Sequence, residues 1–423
     1  MLKNILRELK FLYAVGIDVS KGRSTVTIRK PGNKVIMPPR DFKHTQSEIN
    51  SLIKRIQSLD GETKVCMECT GRYYEPVALW LRDAGIFISA VNPLLIKNFG
   101  GDSIREAKTD KKDAVKIARY TLDKWNDLKE YTRTDETRSQ LKTMNRQFDF
   151  HLKQVTAMKN NLIALLDQTY SGVNNLFDSP ARKDGSQKWV DFAHIFWHVN
   201  IVRSMSLEDF SLSYKDWCKN NHYIFSAKKA KDIYDASSDL IAVLPMNEAT
   251  QMLVQQAIEA LKATSKTVEA FRVKMDELAS TLPEYEVVMN MYGVGPTLGP
   301  QLIAEIGDVT RFEKRTSLTA FAGVDPQTNE SGDKISKSVP TSKKGSPLLR
   351  KTLFQIMDVL LKTKNANDPV YAFLDKKRQA GKPYHVYMTA GANKFLRIYF
   401  GKVREFLSIS NKNKSINRGA NEP

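Results

Sequence analysis

The chain has 423 residues, 41% of them apolar, which is enough for ordinary buried cores in two or three domains. Lysine and arginine number 65 against 47 aspartate and glutamate, and the resulting net charge of +18 favours nucleic acid as partner over a neutral metabolite. No apolar run is long enough to span a membrane and the N-terminus lacks a small-residue cleavage site, so we expect a cytoplasmic protein.

The first part of the chain, residues 10–130, alternates strand and helix patterns and predicts one α/β domain. The patterns predict strands at 13–18, 24–28, 64–68 and 86–91, and helices from 45, from about 75 to 84 and from 109. Two of these strands end in an acid, Asp18 and Glu68. The carboxylates are therefore expected at strand ends.

The helix that begins near Thr109 carries Asp110 and Asp113, which are three residues apart and so lie on one helical face. Lys111 and Lys112 turn away from that face, towards a phosphate backbone. With Asp18 and Glu68 the chain has four acids able to hold two hard divalent cations, an arrangement that suits phosphodiester displacement. Magnesium is the expected ion because its ligands are oxygens.

A simpler interpretation of the two helical acids is also open. Asp110 would cap its helix, and Asp113 would lie in the first turn, where acids interact favourably with the helix dipole. The strand-end positions of Asp18 and Glu68 favour the metal site.

The cysteines do not indicate a disulfide or zinc protein. Cys66, Cys69 and Cys218 are too few for a disulfide framework, and the Cys66-x-x-Cys69 pair has no second pair nearby to complete a zinc site. We interpret them as reduced packing residues.

The middle region, residues 135–282, is predicted to be a helical coiled-coil region with an insertion at about 171–245 to which we assign no role. Apolar residues recur every three or four positions at Leu141, Met144, Phe148, Leu152, Val155, Met158, Leu162 and Leu165, and again at Val254, Ile258, Leu261, Val268, Met275 and Leu278. An intrachain hairpin and an intermolecular coiled coil satisfy this pattern equally. His194 and His198 have the spacing of a helical metal pair, but ordinary packing is favoured.

Residues 284–405 form a mainly helical C-terminal domain, and 406–423 a polar tail predicted to be disordered. Gly293 and Gly295 lie in a glycine-rich turn before an apolar helix, which looks like a helix-hairpin-helix whose backbone N–H groups bind a phosphate. The alternative is a plain turn between packed helices. The stretch from Lys334 to Lys351 then holds six basic residues and no acid, and we predict phosphate contacts there for Lys334, Lys337, Lys343, Lys344 and Arg350.

Four motifs of the first domain together resemble the insertion-sequence-110 family of transposases, relatives of the Piv and MooV DNA invertases. They read GIDVSK around Asp18, MECTGRYYEPVALWLRDAG around Glu68, VNP at 91–93 and KTDKKDA at 108–114. The resemblance implies a RuvC-like (RNase H-like) DEDD domain in which Asp18, Glu68, Asp110 and Asp113 are the four acids. Cys69 departs from the small residues usual at its position.

The C-terminal third carries the second half of the resemblance, in the motifs AFAGVDP, ESG and SKKGSPLLR. These resemble the family's transposase domain, whose nucleophilic serine corresponds to Ser331. Spacing alone does not select Ser331, because Ser336, Ser338, Ser342 and Ser346 are nearby. Val339-Pro340 departs from the glycine-rich loop of many relatives.

The resemblance implies a recombinase that excises and inserts a mobile element through a covalent link between Ser331 and DNA. It also implies a structured bridge RNA from the element, which pairs with target and donor DNA, and a homo-oligomer, dimer or tetramer. No phosphate-binding P-loop is visible, and chemistry that conserves bond energy requires none.

Two other classes of protein remain as alternatives. A metal-dependent junction-resolving nuclease would use the four acids to activate water and would not need Ser331. A non-enzymatic nucleic-acid-binding protein would use the acids only as caps and surface charges. A tyrosine recombinase is disfavoured, because the Arg and His constellation that accompanies its tyrosine is not apparent.

Overall fold

The computed structural model describes residues 12–69, 71, 73–99, 109–131, 135–182, 184–326, 330–331, 334–335 and 341–419, with the backbone alone at 330–331, 334–335 and 411–419. Contacts between residues divide the chain into an N-terminal unit, residues 1–133, and a C-terminal unit, residues 134–423.

The N-terminal unit is a mixed α/β domain, as predicted. Its elements are β1 (Leu12–Ser20), β2 (Arg23–Lys30), β3 (Lys34–Lys43), α1 (Gln46–Gln57), β4 (Glu62–Glu68), α2 (Tyr74–Asp83), β5 (Phe87–Val91), α3 (Pro93–Asn98) and α4 (Asp110–Asp123). The strands form one sheet in the order β3-β2-β1-β4-β5. The hairpin strands β1, β2 and β3 pair antiparallel, whereas β4 and β5 run parallel to β1.

Two elements of this unit were not predicted. Strand β3 contains Pro38 and Pro39, which cannot donate ladder hydrogen bonds. It lies at the edge of the sheet, where prolines are tolerated. The short helix α3 replaces a predicted loop and begins with the side chain of Asn92 accepting the Leu94 N–H at 2.9 Å.

The C-terminal unit is mainly helical, again as predicted. Its elements are α5 (Glu136–Leu166), α6 (Lys188–Ile195), α7 (Val199–Arg203), α8 (Leu207–Asn220), α9 (Ala227–Ser237), α10 (Glu248–Ser280), α11 (Tyr285–Met289), α12 (Leu298–Ile306), α13 (Arg315–Ala322), β6 (Glu330–Ser331), β7 (Lys334–Ile335), α14 (Pro347–Thr363), α15 (Pro369–Gln379) and α16 (Tyr384–Gly419).

The two long helices α5 and α10 pair within the chain. Their predicted apolar positions face each other and divide between two cores: Leu141, Phe148, Val268 and Met275 belong to the core of the C-terminal domain, and Leu162, Val254, Ile258 and Leu261 to that of the insertion. The intrachain hairpin is thus the observed arrangement. A coiled coil between copies remains a prediction.

The insertion folds into a compact aromatic module of α6 to α9. Phe192 lies at its centre, stacked on Phe196 with ring centroids 4.6 Å apart and edge-on to Trp217 at 5.5 Å. Buried His198 accepts the Asn200 N–H through Nδ1 at 3.1 Å, and its Nε2–H donates to the Leu244 carbonyl at 3.0 Å. Both ring nitrogens of His198 are therefore occupied, which bears out the packing interpretation over a metal pair with His194.

The last helix differs from the sequence prediction. Helix α16 continues through Gly419, so most of the segment 406–423, predicted to be disordered, has a helical backbone. Val403 and Leu407 are buried against the core and anchor the helix, and each further residue then adds one backbone hydrogen bond at low cost. No helix in the described part of the chain has the length and apolar content that crossing a membrane requires.

Candidate functional site

Asp18 and Glu68 lie side by side on neighbouring strands. Strands β1 and β4 are parallel, with Ile17 opposite Met67, so the next position along each strand brings Asp18 opposite Glu68. Residues at matching positions of paired strands point to the same face of a sheet. Two carboxylates thus share one face at the end where both strands finish, as the sequence predicts.

Gly16 brings helix α4 against that same face. A Cβ built on Gly16 would lie 2.3 Å from the Ala114 carbonyl oxygen and 2.4 Å from the Ala118 nitrogen, so only glycine allows so close an approach. Since side chains alternate along a strand, Asp18 points to the face that Gly16 presents to α4. The helix therefore lies over the face that carries Asp18 and Glu68.

The first turn of α4 is located by its contacts. The Thr109 side chain caps the helix by accepting the Lys112 N–H at 3.3 Å, so the cap is Thr109 and not Asp110. Arg23, the first residue of β2, lies 3.5 Å from the Asp110 carboxylate. This contact fixes the start of α4 at the end of the sheet where Asp18 is found.

We call Asp18, Glu68, Asp110 and Asp113 the carboxylate edge. Asp110 and Asp113 are half-buried while Lys111 and Lys112 are exposed, as the helical spacing predicts. Within the ranges that the structure describes, no group of three or more His, Cys, Asp or Glu is close enough together to hold a metal ion. The donor set nevertheless fits a hard divalent cation, because the four side chains offer only carboxylate oxygens at one end of the sheet.

The three cysteines differ in accessibility. Burial raises the pKa of the Cys66 thiol to about 12 and also raises the pKa of Cys218. Both side chains are buried, whereas Cys69, the residue after Glu68, is partly exposed. The interpretation of Cys66 and Cys218 as packing residues agrees with this environment.

Ser331 lies on a short antiparallel ribbon in the C-terminal unit. Strands β6 and β7 pair Ser331 with Lys334 and Glu330 with Ile335. Below them the chain continues to pair: Pro326 bridges to Thr341, and the Ser342 N–H donates to the Asp325 carbonyl at 3.0 Å. We call the described segments 323–326, 330–331, 334–335 and 341–346 the serine hairpin, and its two ends, 323–326 and 341–346, its feet.

The feet of the hairpin are held by an unusually close backbone contact. A Cβ on Gly345 would lie 2.0 Å from the Phe321 carbonyl oxygen and 2.5 Å from the Gly323 nitrogen. Arg350 spans the same junction, donating to the Ala322 and Gly345 carbonyls at 3.0 and 3.1 Å. Burial lowers the pKa of this guanidinium from its ordinary value. Arg350 therefore fastens the hairpin, a structural role that the sequence did not indicate.

Two of the serines that compete with Ser331 have structural partners. Ser342 donates to the Asp325 carboxylate at 2.5 Å. Ser346 donates to buried Glu305 at 2.8 Å and caps α14 by accepting the Leu349 N–H. Ser336 and Ser338 lie outside the described residues. The hydroxyls of Ser342 and Ser346 thus form hydrogen bonds that hold the hairpin feet in place.

The predicted phosphate contacts fall into three groups. Lys343 and Lys344 are exposed in one of the hairpin feet, as required of phosphate-binding residues. Lys334 is described by its backbone alone, in β7, and Lys337 lies outside the described residues. These roles remain predictions.

The glycine-rich turn joins α11 to α12. Gly293 has a φ of +77°, and a Cβ there would lie 3.0 Å from Leu360 of α14, whereas Gly295 faces open space. The turn is packed against a helix, as the plain-turn alternative expects. The helix-hairpin-helix with phosphate bound by Gly293 and Gly295 is not established and remains a prediction.

Sequence reasoning missed several residues that matter to these sites. Gly16 and Gly345 lie within the motifs GIDVSK and SKKGSPLLR, but their closeness to other backbone segments arises only on folding and could not be predicted. Lys377, Lys394 and Arg397 line a groove beside the hairpin feet. The three-residue spacing of Lys394 and Arg397 on one helical face was the available signal.

Comparisons with known families cover both units. The model of the DEDD transposase domain matches residues 15–171, and that of the transposase IS116/IS110/IS902 family matches residues 285–372. Both describe transposases, and together they span more than half of the chain. The class of protein is therefore a transposase, a DNA-processing enzyme. The chain belongs to the IS110 family.

Curated relatives match along most of their length. An uncharacterized 43.6 kDa protein of insertion element IS110 from Streptomyces coelicolor is 21% identical over 92% of this chain and 94% of its own. The pilin gene-inverting protein of Moraxella bovis is 21% identical over 86% of this chain and 88% of its own. Among solved structures, Thermus thermophilus RuvC matches 28% of this chain and 99% of its own at 13% identity, with a TM-score of 0.21, on which no argument rests.

Proposed function

We propose that the protein cuts and rejoins DNA strands at the ends and target of its mobile element, with Ser331 as nucleophile and the carboxylate edge as a divalent-metal site. The observation that carries the metal site is the convergence of Asp18, Glu68 and the first turn of α4 at one end of the sheet. The relatedness to a gene-inverting protein supports strand exchange over simple cleavage.

In the proposed reaction the Ser331 hydroxyl attacks a DNA phosphorus, loses its proton and displaces a sugar oxygen, which takes up a proton. The product is a phosphoester between Ser331 and one DNA end, so the energy of the broken bond is kept. A sugar hydroxyl of another strand then attacks the same phosphorus and releases Ser331. A divalent cation, with magnesium expected, would stabilise charge on the attacking and leaving oxygens.

The choice of Ser331 gains support from its neighbours. The Ser342 and Ser346 hydroxyls donate to the carboxylates of Asp325 and Glu305, whereas the resemblance of the ESG motif favours Ser331 as nucleophile. Because a serine hydroxyl is a weak nucleophile, an activating group is needed as well. We propose that a divalent cation supplies that activation.

We further propose that a structured bridge RNA selects the DNA by base pairing and that the protein acts as a homo-oligomer, dimer or tetramer. The net charge of +18 supports a protein that grips backbones, because phosphate contacts give affinity without reading sequence. RNA guidance then supplies the specificity that such contacts lack.

Covalent trapping tests this proposal. The purified protein is incubated with element-junction DNA, the flanking RNA and magnesium, then denatured and examined for a protein–DNA adduct. We expect an adduct with the wild type and with Ser342→Ala, and none with Ser331→Ala or Asp110→Ala. Omission of the RNA should abolish the adduct on the specific junction.

The alternative functions give different results. A junction-resolving nuclease cleaves without an adduct and is indifferent to Ser331→Ala. A non-enzymatic binding protein retains DNA affinity in all variants and cleaves with none of them. An adduct that survives Ser331→Ala but not Ser342→Ala would contradict Ser331 as nucleophile.

A further inference from the structure

A groove of about 1500 Å³ opens in the C-terminal unit beside the feet of the serine hairpin. Val324, Pro326, Thr341 and Lys343 bring the feet into its lining, and its other walls come from α14, α15 and α16. Pockets for small molecules commonly measure about 300 to 1000 Å³. The groove is therefore larger than a small ligand needs and suits an extended one.

The lining is strongly basic. Its lysines and arginines are Lys343, Arg350, Lys351, Lys377, Lys394 and Arg397. They face a single carboxylate of the lining, Asp358, which accepts a hydrogen bond from Tyr384 at 3.1 Å. The groove thus carries a net positive charge and favours an anionic occupant.

Two of these six cations already bind other groups of the protein, and the other four can bind a ligand. Lys351 is bound to Asp149 at 2.7 Å, and Arg350 fastens the hairpin feet. Across the described ranges, Lys377, Lys394 and Arg397 form no ion pair with a carboxylate, and neither does Lys343. A cluster of cations that the fold leaves without counterions indicates an anionic partner.

Aromatic rings lie among these cations. The ammonium groups of Lys377 and Lys394 lie 5.0 and 4.8 Å from the ring centroid of Phe373. Elsewhere in the lining, His385 lies against Phe354, with ring centroids 6.4 Å apart. Basic residues that track a backbone, interleaved with rings on which bases stack, are typical of single-strand binding sites.

We propose that this groove binds one DNA strand by its phosphate backbone and leads it to the serine hairpin. The proposal rests on the proposed role of Ser331, which lies five positions beyond Pro326 in the groove lining. Lys377, Lys394 and Arg397 hold the phosphates, and Phe373 offers a surface to a base. DNA is chosen because the groove adjoins the hairpin that attacks DNA.

The test compares two triple variants of the full chain. Lys377→Gln/Lys394→Gln/Arg397→Gln removes three charges from the groove, and Lys376→Gln/Arg378→Gln/Lys402→Gln removes three exposed charges from the same helices outside its lining. The affinity for a fluorescein-labelled single strand of element-end DNA is measured by anisotropy across a series of salt concentrations. Thermal unfolding of each variant verifies that it is folded.

We expect the groove variant to bind at least about 10-fold more weakly and its salt slope to fall by about two, since each lost phosphate contact on a single strand contributes about 0.7. The control variant should stay within about twofold of the wild type, because its lysines and arginine contact no bound strand. Equal losses in the two variants, or no loss in the groove variant, would overturn the proposal.

The strand can be located by photocross-linking. DNA carrying 5-bromodeoxyuridine is expected to cross-link to the peptide that contains Phe373, and a matching RNA should compete only weakly. Cross-links that map elsewhere, or RNA that displaces the DNA from this peptide at equal concentration, would refute the assignment to DNA.

The proposal for the groove and the proposal for Ser331 as nucleophile can be tested separately. Ser331→Ala should bind and cross-link like the wild type yet form no adduct, whereas the groove variant should recover its adduct at saturating DNA. If Ser331→Ala still forms the adduct, the link between the groove and Ser331 is refuted. The anisotropy and cross-linking results then decide alone whether the groove binds DNA.

Discussion

The carboxylate edge and the serine hairpin are both built on a close backbone approach at a glycine, but they are secured in different ways. At the carboxylate edge, Gly16 allows helix α4 to pack closely on the sheet. At the hairpin feet, Gly345 lies within a network that includes Arg350 and the Ser346–Glu305 bond. The contact at Gly16 is therefore one of packing, whereas the contact at Gly345 is reinforced by hydrogen bonds.

The network under the hairpin extends to the long helix α5. Glu305 is buried and accepts hydrogen bonds from Ser346 on one side and from Asn145 at 3.0 Å on the other. Lys351, which follows Arg350 on α14, binds Asp149 of the same long helix. The hairpin is consequently supported by residues remote in sequence, whereas the carboxylate edge is complete within the first 123 residues.

The largest expected effect comes from the chemistry of the carboxylate edge. Glu68→Gln removes one charge while keeping the shape of the side chain, so the fold and DNA affinity should be retained. We expect adduct formation to fall by at least about 100-fold, the scale of losing one electrostatic element of a catalytic site. Quantified trapping of the adduct measures this.

Glu62→Gln, at the opposite end of the same strand, is the matched control and should trap like the wild type. Equal activity of Glu68→Gln and wild type would show that the edge does not participate in the reaction.

The second largest effect is expected from Gly345→Ala, which should destabilise the hairpin. The added methyl would overlap the Phe321 carbonyl, and overpacking of this kind costs about 3 kcal/mol when neither backbone can yield. We expect a lower unfolding temperature of the C-terminal unit and loss of adduct, with the N-terminal unit unaffected. Differential scanning calorimetry of the full chain measures the two effects.

Gly401→Ala provides the contrast, because this helical glycine faces open space. Alanine there should raise stability by up to about 1 kcal/mol. If Gly345→Ala were as harmless as Gly401→Ala, the close contact at the hairpin feet would be refuted.

Gly16→Ala should have a smaller but distinct effect. Its methyl would meet the Ala114 carbonyl, so α4 must shift away from β1 at a cost of about 1–3 kcal/mol. The shift moves Asp110 relative to Asp18, and adduct formation should fall more than stability alone explains.

Trapping at a temperature where the Gly16→Ala protein remains folded separates the two contributions. Full activity under those conditions would mean that the position of α4 does not matter to the reaction.

The smallest expected effect concerns pH and Asp149. Burial raises the pKa of this carboxyl, but hydrogen bonds from Lys153 and Lys351 outweigh it, so the pKa lies below its ordinary value of 3.8. A depressed pKa contributes stability above the unfolded value, and this contribution is lost as the pH falls through the folded value. Asp149→Asn should therefore cost less than about 1 kcal/mol at pH 7, because the lysine partners are exposed.

Below about pH 4, near the ordinary pKa of an aspartate, the difference between Asp149→Asn and wild type should shrink towards zero. Unfolding temperatures recorded between acidic and neutral pH verify this trend. A difference that grows as the pH falls would contradict the role assigned to Lys153 and Lys351.

The sequence alone predicts the features that follow from the spacing of nearby residues in strands and helices. Strand ends located Asp18 and Glu68, and helical spacing put Asp110 on the same face as Asp113. It could not show that Gly16 meets Ala114, because that contact joins residues about a hundred positions apart. The same limit applies to the hairpin feet and to the groove, whose cations come from three helices and one hairpin foot.

Strand β3 was not predicted from the sequence. It contains Pro38 and Pro39, which are rare inside a sheet but tolerated at its edge, and the sequence does not show which strand will be at an edge. The opposite error occurred at the C-terminus, where a polar segment was predicted to be disordered although a buried helix precedes it. In both cases tertiary position overrode the local pattern.

The different environments of the three cysteines allow a label to be attached selectively beside the carboxylate edge. Cys66 and Cys218 are buried and their raised pKa values keep them as unreactive thiols at neutral pH. Cys69 is partly exposed and directly follows Glu68. A maleimide fluorophore or spin label should therefore attach at Cys69 first in the native chain, and would report cation or DNA arrival at the neighbouring acids without any cysteine being replaced.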